Sequence, residues 1–155
     1  MDIEASNNFR RISDALTTSG VVAPESLQAL AAQGYGRVIN LLPDDSAHAV
    51  AGEREIVAAQ GIDYMHIPVD FARPGEAEFA RFSVLMDAVG HGKLHVHCAA
   101  NYRVSAFYGR YAVARGLWNV EQAWDLIRGL WNPEEHPGWP AFLAPLGGDG
   151  RPGAV

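Results

Sequence analysis

A chain of 155 residues, 48% hydrophobic and with a formal net charge of −6, is long enough to build one core without staples and too acidic for broad nucleic-acid binding, where affinity comes from basic groups replacing phosphate counterions. Its single cysteine excludes an internal disulfide framework and fits a reducing cytoplasm, the expected location. The opening residues Met1, Asp2, Ile3 and Glu4 put acids where a signal peptide carries basic residues, and no later run reaches membrane-spanning length, so no membrane partner is expected.

After a polar start, Pro24 to Gly34 reads as a helix, with Pro at the first turn, Leu27, Leu30 and Ala31 on one face and Gly34 as the stop. Val38 to Leu42 is a buried strand, closed by Pro43, Asp44, Asp45 and Ser46. A helix over 50–60 ends at Gly61, and Ile62 to Ile67 alternates as a strand closed by Pro68. Phe71 to Gly75 is a loop. Glu76 to Val89 has the apolar spacing of a buried amphipathic helix, bracketed by Gly90 and Gly92. Leu94 to His97 is a strand and Val104 to Arg115 a helix. Asn119 with Gln122 forms a capping box that opens a last long helix through Leu130. The remainder is rich in Pro, Gly and Trp, and Trp131 and Trp139 sit in a tail able to fold over a site.

Strands alternating with helices at this spacing predict an α/β fold with a mostly parallel central sheet flanked by helices on both faces, in one domain over residues 1–155. In such sheets ligands bind beyond the carboxyl ends of the strands. Three strand ends carry chemistry here: Asp44 with Asp45, then Asp70, then Cys98 with Arg103.

The segment from Lys93 through His95, His97, Cys98, Ala99, Ala100, Asn101, Tyr102, Arg103, Val104 and Ser105 is the most informative. A thiol at a strand-to-helix junction meets helix-end amides, which favour the thiolate and bind anions. Arg103 supplies a planar cationic fork for phosphate or carboxylate. Phosphoryl transfer asks for an in-line nucleophile, donors around three equatorial oxygens and a proton for the leaving oxygen. Cys98 meets the first need, the amides of Ala99, Ala100, Asn101, Tyr102, Arg103 and Val104 the second, and Asp70 or Asp44 the third.

These residues resemble the protein tyrosine phosphatase superfamily, specifically its small bacterial dual-specificity-like members. The resemblance implies a parallel sheet flanked by helices and a catalytic loop His-Cys-x5-Arg-Ser/Thr. Phosphoryl passes to Cys and is then hydrolysed, with no metal or other cofactor. Carried over residue by residue, it makes Cys98 the nucleophile, Arg103 the phosphate ligand, Asp70 the general acid, Ser105 the hydroxyl that helps the thiolate leave and His97 a support of the loop. The expected partner is a phosphorylated small molecule or phosphoprotein, and the uncharged loop favours a phosphotyrosine-like or other simple monoester.

One departure stands out: arginine falls five residues after Cys98, and Val104 occupies the family's arginine position. Either the loop is one residue shorter or the cation sits on a neighbouring residue of a loop of normal length. A catalytically weak phosphate-binding module is therefore the alternative. A rhodanese-like sulfurtransferase, which also places Cys in a strand-to-helix anion loop, is the third reading.

The plain structural readings stand beside these. A lone Cys at a strand end is often a buried small side chain, and Asp70 also suits the turn after Pro68. His95 and His97 with Cys98 lack a second ligand cluster for a metal. His95 reads as a packed strand residue, and His48, His66, His91 and His136 as ordinary polar positions.

Overall fold

The computed structural model describes residues 2–148. The strands are β1 (Arg10–Arg11), β2 (Leu16–Ser19), β3 (Tyr35–Asn40), β4 (Asp63–His66) and β5 (Lys93–His97), joined in one sheet of order β1-β2-β5-β3-β4. Only the β1–β2 pair is antiparallel; β2–β5, β5–β3 and β3–β4 are parallel. The helices are α1 (Pro24–Gln28), α2 (Glu53–Ala58), α3 (Glu76–Asp87), α4 (Tyr102–Ala114), α5 (Val120–Arg128) and α6 (Trp139–Leu143). The α/β class and mostly parallel sheet are those expected.

β3 shows how the layers divide. Val38 enters a core with Leu27, Leu30 and Val57, supplied by the segments around α1 and α2. Its neighbour Ile39 enters a second core with Phe82, Phe107 and Ile127 of α3, α4 and α5. A parallel strand covered on both faces must be apolar at successive positions, which is why Val38-Ile39 reads as a run and not as an alternation. Phe82 and Phe107 are fully buried, edge to face at 5.6 Å, and each contributes roughly 1.5–3 kcal/mol through burial.

The expected helix over Pro24 to Gly34 divides. α1 ends at Gln28, a single 3-10 turn covers Ala31–Gln33, and Gly34 takes a φ of 91° as the stop. The tightening lets the Tyr35 amide reach back to the Leu30 carbonyl at 3.1 Å and start β3. The capping box at Asn119 and Gln122 is present, with amide-to-side-chain bonds of 2.8 and 2.9 Å in the two directions.

β2 is the element the polar start concealed. Thr17, Thr18 and Ser19 are fully buried, yet in sequence they belong to the polar start because their side chains are hydroxylic. Each hydroxyl has a partner: Thr17 Oγ1 lies 2.7 Å from the Tyr35 hydroxyl, Thr18 Oγ1 accepts from Asn101 Nδ2 at 3.0 Å, and Ser19 Oγ donates to the Gly20 carbonyl at 2.8 Å. Satisfied hydroxyls cost little to bury, and β2 therefore sits centrally, against β5.

Candidate active site

Cys98 directly follows β5, and its amide donates to the Ser19 carbonyl at the end of β2, at 3.2 Å. Its side chain is buried and free of disulfide. The chain then turns through Ala99, Ala100 and Asn101 and enters α4 at Tyr102, so three residues separate the cysteine from the helix. Asn101 makes the turn in the left-handed region, with φ of 68°, a conformation that Asn tolerates better than other residues with a side chain.

The loop carbonyls point outward. Ala99 O accepts from the Val21 amide at 2.9 Å and from Asn7 Nδ2 at 3.3 Å, and Ala100 O accepts from Asn8 Nδ2 at 2.9 Å. Asn101 Nδ2 returns a bond to the Asn8 carbonyl at 2.9 Å. Gly20 permits this approach, since a Cβ there would lie 2.4 Å from Ala99 O. With the carbonyls turned away, the amides of residues 99–104 find no acceptor among the described residues; Ser105 N is the first to be engaged, by Asn101 O at 3.0 Å. Unpaired amides at the start of a 13-residue helix are donors of the kind that receive the oxygens of an anion.

The helix start also accounts for the arginine. Val104 is fully buried in the core with Ile39, Val96 and Phe107, so a cation at that position would be driven into apolar packing. Arg103, one residue earlier, reaches the other side. It lines a cleft of about 530 Å³ with Asp70, Phe71, Asp45 and Ser46, between Pro43 and Pro68. Its guanidinium lies 5.1 Å from the centroid of the Phe71 ring, and its buried Nε has no hydrogen-bond partner.

Asp70 is exposed on the same cleft and also closes its own turn, as Oδ1 accepts from the Ala72 amide at 2.9 Å and its carbonyl from the Arg73 amide at 3.0 Å. The tail with the tryptophans clamps this loop: Trp139 Nε1 donates to the Phe71 carbonyl at 2.8 Å. Trp131 stacks on Tyr102, with centroids 4.9 Å apart, and also packs against Phe71. Asp44, the rival acid, lines a different cleft with His66 and Glu53; its neighbour Asp45 is the one beside Arg103. The Ser105 hydroxyl donates to the Tyr102 carbonyl at 2.9 Å and accepts from Trp131 Nε1 at 3.0 Å.

His97 has a partner that no sequence pattern marked. Its Nε2 lies 2.6 Å from Glu53 Oε2, both side chains buried, and its Nδ1 lies 3.3 Å from the Cys98 carbonyl. The Tyr64 hydroxyl donates to the same Glu53 oxygen at 2.9 Å and accepts from Asn40 Nδ2 at 2.9 Å. Burial pushes the Glu53 carboxyl up, but the hydrogen bond and charge of His97, with Tyr64 and His66, outweigh it and hold the group below its ordinary value. Burial, followed by the Glu53 charge, pushes the Tyr64 phenol up. An acid in the first turn of a helix ordinarily reads as a favourable charge on the helix dipole, so Glu53 gave no signal in sequence.

Among the described residues no three His, Cys, Asp or Glu side chains are grouped to hold a metal ion, and no helix is long and apolar enough to cross a membrane.

Comparison with known proteins places this arrangement. Residues 8–123 match the family model described as beta-lactamase hydrolase-like protein, phosphatase-like domain. The beta-lactamase hydrolase-like protein of Agrobacterium fabrum strain C58 is 32% identical over 101 residues, which make up 63% of this chain and 23% of that protein. The chain thus spans about a quarter of the curated relative that it matches. A crystal structure from Shewanella putrefaciens CN-32, described as a candidate phosphatase (DUF442), superposes with a TM-score of 0.81 at 32% identity, over 92% of this chain and 90% of the other. A variant of P. aeruginosa TpbA in complex with phosphotyrosine superposes with a TM-score of 0.65 at 18% identity, over 86% and 81% of the two chains, a likeness of fold.

Proposed function

The chain belongs to the phosphatase-like domain family of beta-lactamase hydrolase-like proteins, and from that premise we propose that it is a cysteine-dependent phosphatase of simple phosphomonoesters, phosphotyrosine-like ones included. The observation that carries this reading is that Arg103, its Nε unpartnered, shares one cleft with Asp70 and stands at the helix start that directly follows the Cys98 loop, whose amides are unpaired. One domain over residues 1–155 is the unit that acts.

The Cys98 thiolate attacks phosphorus in line, forming the S–P bond as the bond to the ester oxygen breaks. The loop amides and the Arg103 guanidinium receive the charge of the equatorial oxygens. Asp70, entering as the acid, gives its proton to the departing oxygen and is left a carboxylate. That carboxylate then takes a proton from water as water attacks phosphorus, the S–P bond breaks and the thiolate returns. The TpbA complex holds phosphotyrosine, and this cleft has the aromatic wall Phe71 beside Arg103, while residues 99–102 of the neighbouring loop carry no charge; these features support an aryl monoester over a polyanion.

A second reading, a phosphate-binding module with little turnover, is favoured by one observation. The Ser105 hydroxyl gives its only proton to the Tyr102 carbonyl, so its aid to thiolate departure requires that bond to be exchanged for one to sulfur.

Aryl phosphate hydrolysis by the wild type, Cys98→Ser and Asp70→Asn, with vanadate binding in parallel, tests both. Turnover that is lost in Cys98→Ser and reduced about a hundredfold or more in Asp70→Asn is expected. Vanadate binding without turnover selects the second reading, and thiosulfate turnover with a persulfide on Cys98 overturns both. An Asp45→Asn variant that loses as much as Asp70→Asn moves the acid to Asp45.

A further inference from the structure

We propose that Glu53 is a positioning residue that holds His97 as an imidazolium directly behind the Cys98 loop, so that a buried positive charge favours the thiolate. The inference rests on the reading of Cys98 as the nucleophile.

The ring of His97 meets an acceptor at each nitrogen: a carboxylate oxygen of Glu53 at 2.6 Å from Nε2 and the Cys98 carbonyl at 3.3 Å from Nδ1. A carbonyl oxygen only accepts, so Nδ1 must carry a proton. The remaining proton, between Nε2 and Oε2, sits on one of the two. Glu53 Oε2 takes a second donor, the Tyr64 hydroxyl at 2.9 Å, and that hydroxyl is itself engaged by Asn40 Nδ2. Two donors converging on one oxygen stabilise the carboxylate, not the acid. The proton therefore belongs to His97.

The surroundings agree. The other groups facing this pair are Tyr64 and His66 from β4, Arg54 of α2, whose guanidinium lies 5.0 Å from the Tyr64 ring, and His95 and Cys98 on the β5 side. His95 stacks on His97 at 6.2 Å, and burial with the neighbouring charge holds it well below its ordinary value, so it is neutral and does not compete. A buried cation alone would be prohibitively desolvated; with 1% exposure for His97 and 6% for Glu53, the pair is viable because it is charged on both sides and hydrogen-bonded at both ring nitrogens and, twice, at Glu53 Oε2. An imidazolium attached to the residue before the cysteine, and bonded to the cysteine's own carbonyl, stabilises the nearby anion.

Cys98 is the only cysteine, so a cysteine-labelled sample gives a single 13Cβ resonance that reads its thiolate share without any substrate. The ring 15N signals of His97 read both nitrogens directly. In the wild type at neutral pH both ring nitrogens are expected to be protonated. In Glu53→Gln, which keeps the shape and removes the charge, one nitrogen is expected to lose its proton and the Cys98 thiolate-to-thiol ratio to fall about tenfold. A His97 ring with one bare nitrogen in the wild type overturns the proposal, as does an unchanged thiolate share in Glu53→Gln with a native amide spectrum. If Glu53→Gln does not fold, the wild-type 15N measurement still decides. Neither readout needs turnover: a protein that cleaves no aryl phosphate but loses thiolate in Glu53→Gln refutes the proposed activity and keeps this inference, and an active enzyme with a neutral His97 does the reverse.

Discussion

His95 and His97 lie on the same face of β5, both buried and stacked within 6.2 Å, and they do opposite things because their partners differ. His95 sits between two hydroxyls, Thr17 Oγ1 and Ser19 Oγ, each at 2.8 Å. Ser19 Oγ gives its proton to the Gly20 carbonyl and so accepts from Nε2, which leaves Nδ1 to accept from Thr17. That ring is satisfied as a neutral molecule. His97 sits between a carboxylate and a carbonyl and is satisfied as a cation. Residue type and strand register are shared; the charge is set by what the neighbouring strands and α2 present.

Replacing each ring in turn is the sharpest way to break the comparison. His95→Ala removes a ring that joins β2 to β5 and leaves buried hydroxyls short of a partner. A loss of about 3 kcal/mol in urea-induced unfolding is expected, with kcat per folded molecule within about threefold of the wild type. His97→Asn is expected to lower kcat for aryl phosphate about a hundredfold, since the loop and its sulfur lose their fixed support. If the two variants exchange these phenotypes, the division of roles is wrong.

The pH dependence of stability sharpens it further. His95 is held far below the ordinary histidine value in the folded chain, by burial first. The unfolded chain therefore binds more protons at this site as pH falls below about 6.5, and stability is lost in that direction at up to about 1.4 kcal/mol per pH unit. Above that pH the group contributes no slope. Glu53 has the opposite chemistry but the same direction: its lowered carboxyl contributes stability above about 4.3, lost as pH falls through the folded value. Urea melts from neutral pH downward are expected to show the slope between 6.5 and 5 in the wild type and to lose most of it in His95→Ala, while the loss below 4.3 persists.

The smallest effect is expected from Tyr64→Phe. Glu53 keeps its bond to His97 and loses one donor, for about 1 kcal/mol of stability and a change of no more than severalfold in kcat. A loss as large as that of His97→Asn would mean that Tyr64, and not the carboxylate, carries the support.

Much of the site was legible because its residues are neighbours in the chain. Cys98, the small loop and Arg103 occupy one strand-to-helix junction, and local sequence sets the local shape. The displaced arginine was legible as a displacement; its reason was not, because it lies in Val104 filling a core built by β3, β5 and α4. Asp70 was placed by strand order, whereas Asp45 facing the cleft in place of Asp44 depends on how a loop turns. β2 stayed hidden since its pattern of hydroxyls becomes a central strand only when His95, Tyr35 and Asn101 arrive to bond them.

The sequence by itself determined the α/β alternation, the sole thiol, the strand-to-helix loop that follows it and the family to which they belong, because periodicity and short motifs are properties of contiguous residues. Only the tertiary structure decided that Asn7 and Asn8 hold the loop carbonyls outward, that Ser105 faces Tyr102, and that Glu53 lies 2.6 Å from His97 across 44 positions of sequence. Each is a polar contact between distant segments. Its free energy comes from burial and from the exclusion of water, conditions that exist only once the sheet and both its helical layers have closed around it.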